Sequence, residues 1–119
     1  MKTLFVDLDG CCFESYGSLD GCMDHCYNIN VLPGVREKFE EWFMKNYTIV
    51  ITTGRPESWR QETINQIKNN GLWYDHLLMG LKHQPRVLIN DGRENITPSS
   101  PSATAIILKK NEGMENLDI

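Results

Sequence analysis

The stretch Thr3-Leu4-Phe5-Val6-Asp7-Leu8-Asp9-Gly10 carries the reading of the fold. A β-branched and apolar run that halts at an acid-glycine pair is a buried strand ending in a turn. Outward from it, Pro33-Gly34 precedes Val35, Phe39, Trp42 and Phe43, spaced along one face of a helix that should stop near Asn46. Tyr47 to Ile51 reads as a second strand, broken at Thr52-Thr53-Gly54. Pro56 then opens a second helix, with Trp59, Thr63, Ile64 and Ile67 on its buried stripe and Gly71 at its end. Short apolar runs at Leu77 to Met79, Val87 to Ile89 and Ala103 to Leu108 bring the expected strands to five. Strands alternating with helices predict an α/β, Rossmann-like three-layer domain: a mainly parallel five-stranded sheet with helices on both faces and its ligand site beyond the carboxyl ends of the strands.

The chain of 119 residues is sized for one domain, expected over 1–110 with a polar C-terminal tail at 111–119. Sixteen acidic against twelve basic residues leave a net charge of −4, which argues against non-specific attraction to nucleic acid or anionic lipid. No apolar run approaches a membrane span, and the N-terminus lacks a signal-peptide pattern, so a cytoplasmic location is expected. The four cysteines, Cys11, Cys12, Cys22 and Cys26, cluster near the N-terminus. In a reducing compartment they read as thiols, and with His25 they lack the spacing of a zinc knuckle.

Asp7 and Asp9, one residue apart at a strand end, can converge on one ligand. Two acids so close repel each other unless a cation sits between them, which points to Mg²⁺ held by oxygen ligands. Further along stand Ile49-Val50-Ile51-Thr52-Thr53-Gly54-Arg55, then Lys82, then Val87-Leu88-Ile89-Asn90-Asp91. Taken in order, each at a strand end, these motifs resemble those of the haloacid dehalogenase superfamily of aspartate-nucleophile phosphotransferases, and in particular its small capless sugar- and capsule-cluster phosphatases. The resemblance covers about Thr3 to Asn95 and implies a core without an inserted cap.

That resemblance implies roles for individual residues. Asp7 would attack phosphorus and become an aspartyl-phosphate, and Asp9 would serve as general acid and then general base. Thr53, with Thr52 as the alternative, and Gly54 would bind the phosphoryl oxygens, and Lys82 would neutralise both nucleophile and transferring group. Asp7, the main-chain carbonyl of Asp9, and Asp91 would hold Mg²⁺. Arg55 and Arg93 are candidate contacts to distal parts of a substrate. The implied activity is Mg²⁺-dependent hydrolysis of a phosphate monoester, with a sugar phosphate or related small metabolite as substrate and a second copy of the chain as a candidate lid.

Three departures bear on this reading. Asn90 replaces the first of the paired acids in the last motif. The connection 80–86 is shorter than a parallel crossover usually needs. Cys11-Cys12 replaces the small polar residue common after the Asp-x-Asp-Gly turn. A binding or scaffold subunit that has lost catalysis is therefore the alternative reading, and a phosphatase of nucleotide or polynucleotide ends is another. A phosphoacceptor receiver domain fits poorly, because the strand Tyr47 to Ile51 does not end in an aspartate.

Overall fold

A computed structural model describes residues 1–16, 29–92 and 102–119. Its sheet is parallel and orders β1 (Thr3–Asp7), β2 (Thr48–Thr52) and β3 (His76–Leu78) side by side. Asp7 stands level with Thr52, and Thr52 with Leu78, so all three strands stop at one edge. Beyond that edge the turns are tied together: Leu8 N–H donates to the Thr52 carbonyl at 3.0 Å, Thr53 N–H to Leu78 at 3.0 Å, and Leu81 N–H to Thr53 at 3.1 Å. The ladder thus continues into the loops and fixes where their side chains begin.

Two helices join the strands: α1 (Val35–Met44) and α2 (Arg60–Asn69), the latter entered through a short 3₁₀ turn at Glu57–Trp59. Both end in the same hydrogen-bonded motif, with Tyr47 N–H reaching Trp42 at 3.0 Å after α1 and Leu72 N–H reaching Ile67 at 3.0 Å after α2. Asn46 and Gly71 supply the left-handed residue each stop requires. Val35, Phe39 and Trp42 of α1 and Ile67 of α2 join Val6, Ile49, Ile51 and Leu77 in one buried cluster. Phe43, expected on the same stripe, is instead exposed and stacks edge-on with Trp73 at 5.7 Å.

Parallel register puts Phe5, Val50 and Leu78 on the opposite face of the sheet, outside this cluster. Phe5 is 59% and Leu78 45% exposed. The expected helices on both faces are therefore corrected: among the described residues both helices serve one face. The expected five strands are also corrected to three among those residues. Val87, Leu88 and Ile89 are exposed, as are Ile106 and Ile107, and neither stretch joins the sheet. The cause lies in the connection 80–86, which is too short to cross the sheet and is folded into a local turn, with Gln84 N–H donating to the Lys82 carbonyl at 2.7 Å.

The C-terminal residues, read as a polar tail, dock onto the body. Met114 is 2% exposed within the core cluster, and its N–H donates to the Pro33 carbonyl at 2.8 Å. Met114→Ala should cost about 2–4 kcal/mol in chemical denaturation, the usual loss for truncating a buried long side chain. No helix among the described residues is long and apolar enough to cross a membrane.

Candidate active site

Asp7 closes β1 and lines a cleft of about 390 Å³ together with Asp9, Gly54, His83, Gln84 and Arg86. Asp7 keeps an exposed surface, but partial burial of its carboxyl in the cleft raises it above its ordinary range, the neighbouring charge of Asp9 adds to the rise, and the Arg86 guanidinium, the Leu8 N–H and His83 pull the other way. The cleft thus sets the acidic pair opposite a basic wall of His83 and Arg86.

Asp9 is held by a buried fork. Arg55 Nε donates to Asp9 Oδ2 at 3.0 Å and Nη2 to Oδ1 at 2.8 Å, while Nη1 donates to Thr63 Oγ1 at 3.2 Å and to Gln66 Oε1. The Arg55 side chain has no exposed surface, and that of Asp9 is 16% exposed. Arg55, expected at the rim as a substrate contact, is thus corrected to an internal support, because its donors are already committed to the protein. Its burial also explains why the inner stripe of α2 carries Thr63 and Gln66 beside Ile67.

Thr53 is buried, and its hydroxyl lies 3.4 Å from Asp9 Oδ2 while accepting the Arg55 N–H at 3.1 Å. Thr52, the alternative, is the residue paired with Asp7 across the ladder. At Gly54 a Cβ would meet the Leu81 carbonyl oxygen at 2.7 Å and the His83 ring at 3.3 Å. Glycine there lets the 81–83 loop lie across the Thr53 turn, which brings His83 to the cleft.

The structure therefore gathers Asp7, Asp9, Thr53 and Gly54. Lys82 and Asp91 are exposed and do not line the cleft. The Lys82 carbonyl accepts from Arg86 Nη1 at 2.9 Å, a bond that folds the turn and turns Arg86 back toward the acids. The Asp91 carbonyl accepts the Ser102 hydroxyl at 2.8 Å. Arg93, Cys22, Cys26 and His25 lie outside the described residues. Sequence reasoning missed His83 and Arg86 as lining groups; their signal was two further basic residues, one and four places after Lys82 in the same connection.

The two described cysteines are poor nucleophiles. Burial pushes the Cys11 thiol up to about 11, and burial likewise raises Cys12, fully buried, well above its ordinary value; its thiol donates weakly to the Asp7 carbonyl at 3.4 Å. Among the described residues no group of three or more His, Cys, Asp or Glu side chains gathers at one point. A second cleft of about 340 Å³ on α1 is lined by Glu37, Lys38, Glu41 and Glu115, away from the strand ends, and Lys38 there is paired with Glu41.

No family model and no curated protein matches the chain. Among solved structures it is similar to one chain in "Structure of Pnkp1/Rnl/Hen1 complex", with a TM-score of 0.58 and 21% identity, over 72% of this chain and 30% of that one. At that identity the likeness is one of fold, a parallel α/β arrangement spanning under a third of the other chain.

Proposed function

We propose that this chain is a Mg²⁺-dependent phosphatase of the haloacid dehalogenase type, hydrolysing small phosphate monoesters through an aspartyl-phosphate on Asp7. The observation that carries the reading is the meeting of Asp7, Asp9 and the Thr53 turn, from the carboxyl ends of two neighbouring parallel strands, around one cleft with a cationic wall. Asp7 attacks phosphorus, forming a new P–O bond as the bond to the leaving oxygen breaks. Asp9 gives that oxygen a proton and then takes one from the water that hydrolyses the acyl phosphate. Asp9 lines the cleft while Arg55 holds both of its oxygens, which fixes the carboxylate at the mouth where the leaving oxygen would lie. Arg86 is the cation that faces Asp7 and takes the charge-neutralising part, while Lys82 stands exposed outside the cleft.

Asp7 and the Asp9 carbonyl suit Mg²⁺, which takes one or two carboxylates and fills its remaining positions with water and substrate phosphate. The ion, when bound, offsets the repulsion between carboxylate and phosphate. Asp91 is exposed and outside the cleft, so Asp7 and the Asp9 carbonyl are the protein ligands this arrangement offers.

A phosphate-release screen over phosphorylated sugars, nucleotides and oligonucleotide ends tests the activity. Release with at least one class is expected, abolished by excess EDTA and restored by Mg²⁺. Activity that persists in EDTA, or no release from any class, contradicts the reading.

A further inference from the structure

The turn that follows the acidic pair is not held by its own neighbours alone. Within it, Gly10 N–H donates to the Phe13 carbonyl at 2.7 Å and Phe13 N–H to Leu8 at 3.0 Å. Its far side is closed by Asn111, nearly a hundred residues on. The Asn111 carboxamide pairs with the Ser15 main chain in both directions: its Oδ1 accepts the Ser15 N–H at 2.7 Å, and its Nδ2 donates to the Ser15 carbonyl at 3.1 Å. An amide side chain used this way stands in for a peptide group and satisfies a donor and an acceptor together.

The main chain of the same residue makes a third bond. Asn111 N–H donates to the Gly10 carbonyl at 2.9 Å, which immobilises the peptide next to that of Asp9. Asn111 sits at φ 65°, a left-handed position that asparagine tolerates better than most residues. Gly10, at φ 92°, lies so close that a Cβ there would meet the Lys110 stem at 3.2 Å. Two residues on, Gly113 and Met114 fasten the segment to Pro33, where a Cβ on Gly113 could not be accommodated against the Pro33 carbonyl. The strap is therefore anchored at both of its ends.

We propose that residues 109–114 form a clasp that sets the conformation of the 10–15 turn, with Asn111 as the positioning residue for the Asp7–Asp9 pair. The proposal rests on the phosphatase reading for its catalytic consequence and on geometry alone for the clasp. Asn111 touches no reacting atom; it acts by holding the Gly10 and Ser15 peptides and so the direction in which Asp9 leaves the strand.

The test compares wild type, Asn111→Gly and Asn111→Asp by amide hydrogen exchange, by thermal melting, and by steady-state hydrolysis of p-nitrophenyl phosphate with Mg²⁺. Glycine keeps the left-handed backbone and deletes both side-chain bonds, while aspartate keeps the acceptor for Ser15 N–H and loses the donor. Met114 remains to anchor the segment, so both variants should fold. In Asn111→Gly, exchange over 10–15 should accelerate at least about tenfold while β1 and β2 stay protected, and kcat should fall about tenfold or more with little change in KM, the signature of misplaced chemistry. Asn111→Asp should fall between. Unchanged exchange over 10–15 removes the clasp, and a loosened turn with unchanged kcat removes the positioning role. A wild type inert on every ester, with exchange altered as described, overturns the phosphatase reading and the catalytic role together while leaving the clasp as structure.

Discussion

Asp7→Asn should lose about 10⁴-fold or more of its turnover with every substrate and yet melt above wild type at neutral pH. The first effect follows from removing the only group assigned to attack phosphorus, since nothing else in the cleft can form the covalent intermediate. The second follows from the environment of the carboxyl. Burial and then the charge of Asp9 raise its pKa above the ordinary 3.8, so the folded state holds this proton more tightly than the unfolded chain does. Such a group costs nothing below the unfolded pKa, and its ionisation penalises the fold progressively as pH climbs from about 3.8 through the raised value. The asparagine variant escapes that penalty. Melting curves in a pH series without divalent cations should show the variant ahead at pH 7, with the gap closing toward acid. A variant less stable than wild type at pH 7 contradicts this.

Removing Arg55 should have the largest effect on stability. Its side chain, with no exposed surface, holds Asp9 by two bonds and also serves Thr63 and Gln66. Arg55→Ala leaves a carboxylate, a hydroxyl and an amide oxygen without their donor around a cavity, and about 3–5 kcal/mol of stability should go with it. Asp9→Ala strands the guanidinium inside the protein and should cost a similar amount. Asp9→Asn keeps one oxygen for the fork and costs less, which makes it the variant for kinetics. With an activated aryl phosphate it should give an initial burst and then slow turnover, because its first step needs little protonation and its second needs a base. A denaturant series on Arg55→Ala showing under about 1 kcal/mol of loss would mean that water replaces the fork.

How much of this was legible depended on whether the information was local. The three observed strands, both helix stops at Asn46 and Gly71, and the gathering of Asp7, Asp9, Thr53 and Gly54 followed from apolar runs, turn residues and strand-end acids. What escaped has no periodic signature. A buried arginine looks like any surface arginine until Asp9, Thr63 and Gln66 are seen around it, and Gln66 is an unremarkable helix residue in one dimension. Asn111 to Ile119 reads as polar because the groups that dock it, the Asn111 carboxamide, Gly113, Met114, Leu117 and Ile119, have no regular spacing and stand among acids. The runs 87–89 and 103–108 were apolar enough to be strands, but pairing depends on whether the chain between them and the sheet can make the crossover, and the 80–86 turn does not.

Trapping the covalent intermediate tests the central claim most directly. Asp9→Asn would be mixed with Mg²⁺ and an activated aryl phosphate, quenched in acid within the burst, digested, and its peptides weighed. A phosphoryl group on the peptide holding Asp7, absent when Asp7→Asn is combined with Asp9→Asn and lost on mild alkaline treatment as an acyl phosphate, is the predicted result. Substrate turnover by the wild type with no phosphoryl group on that peptide, or with the label on another residue, would contradict it.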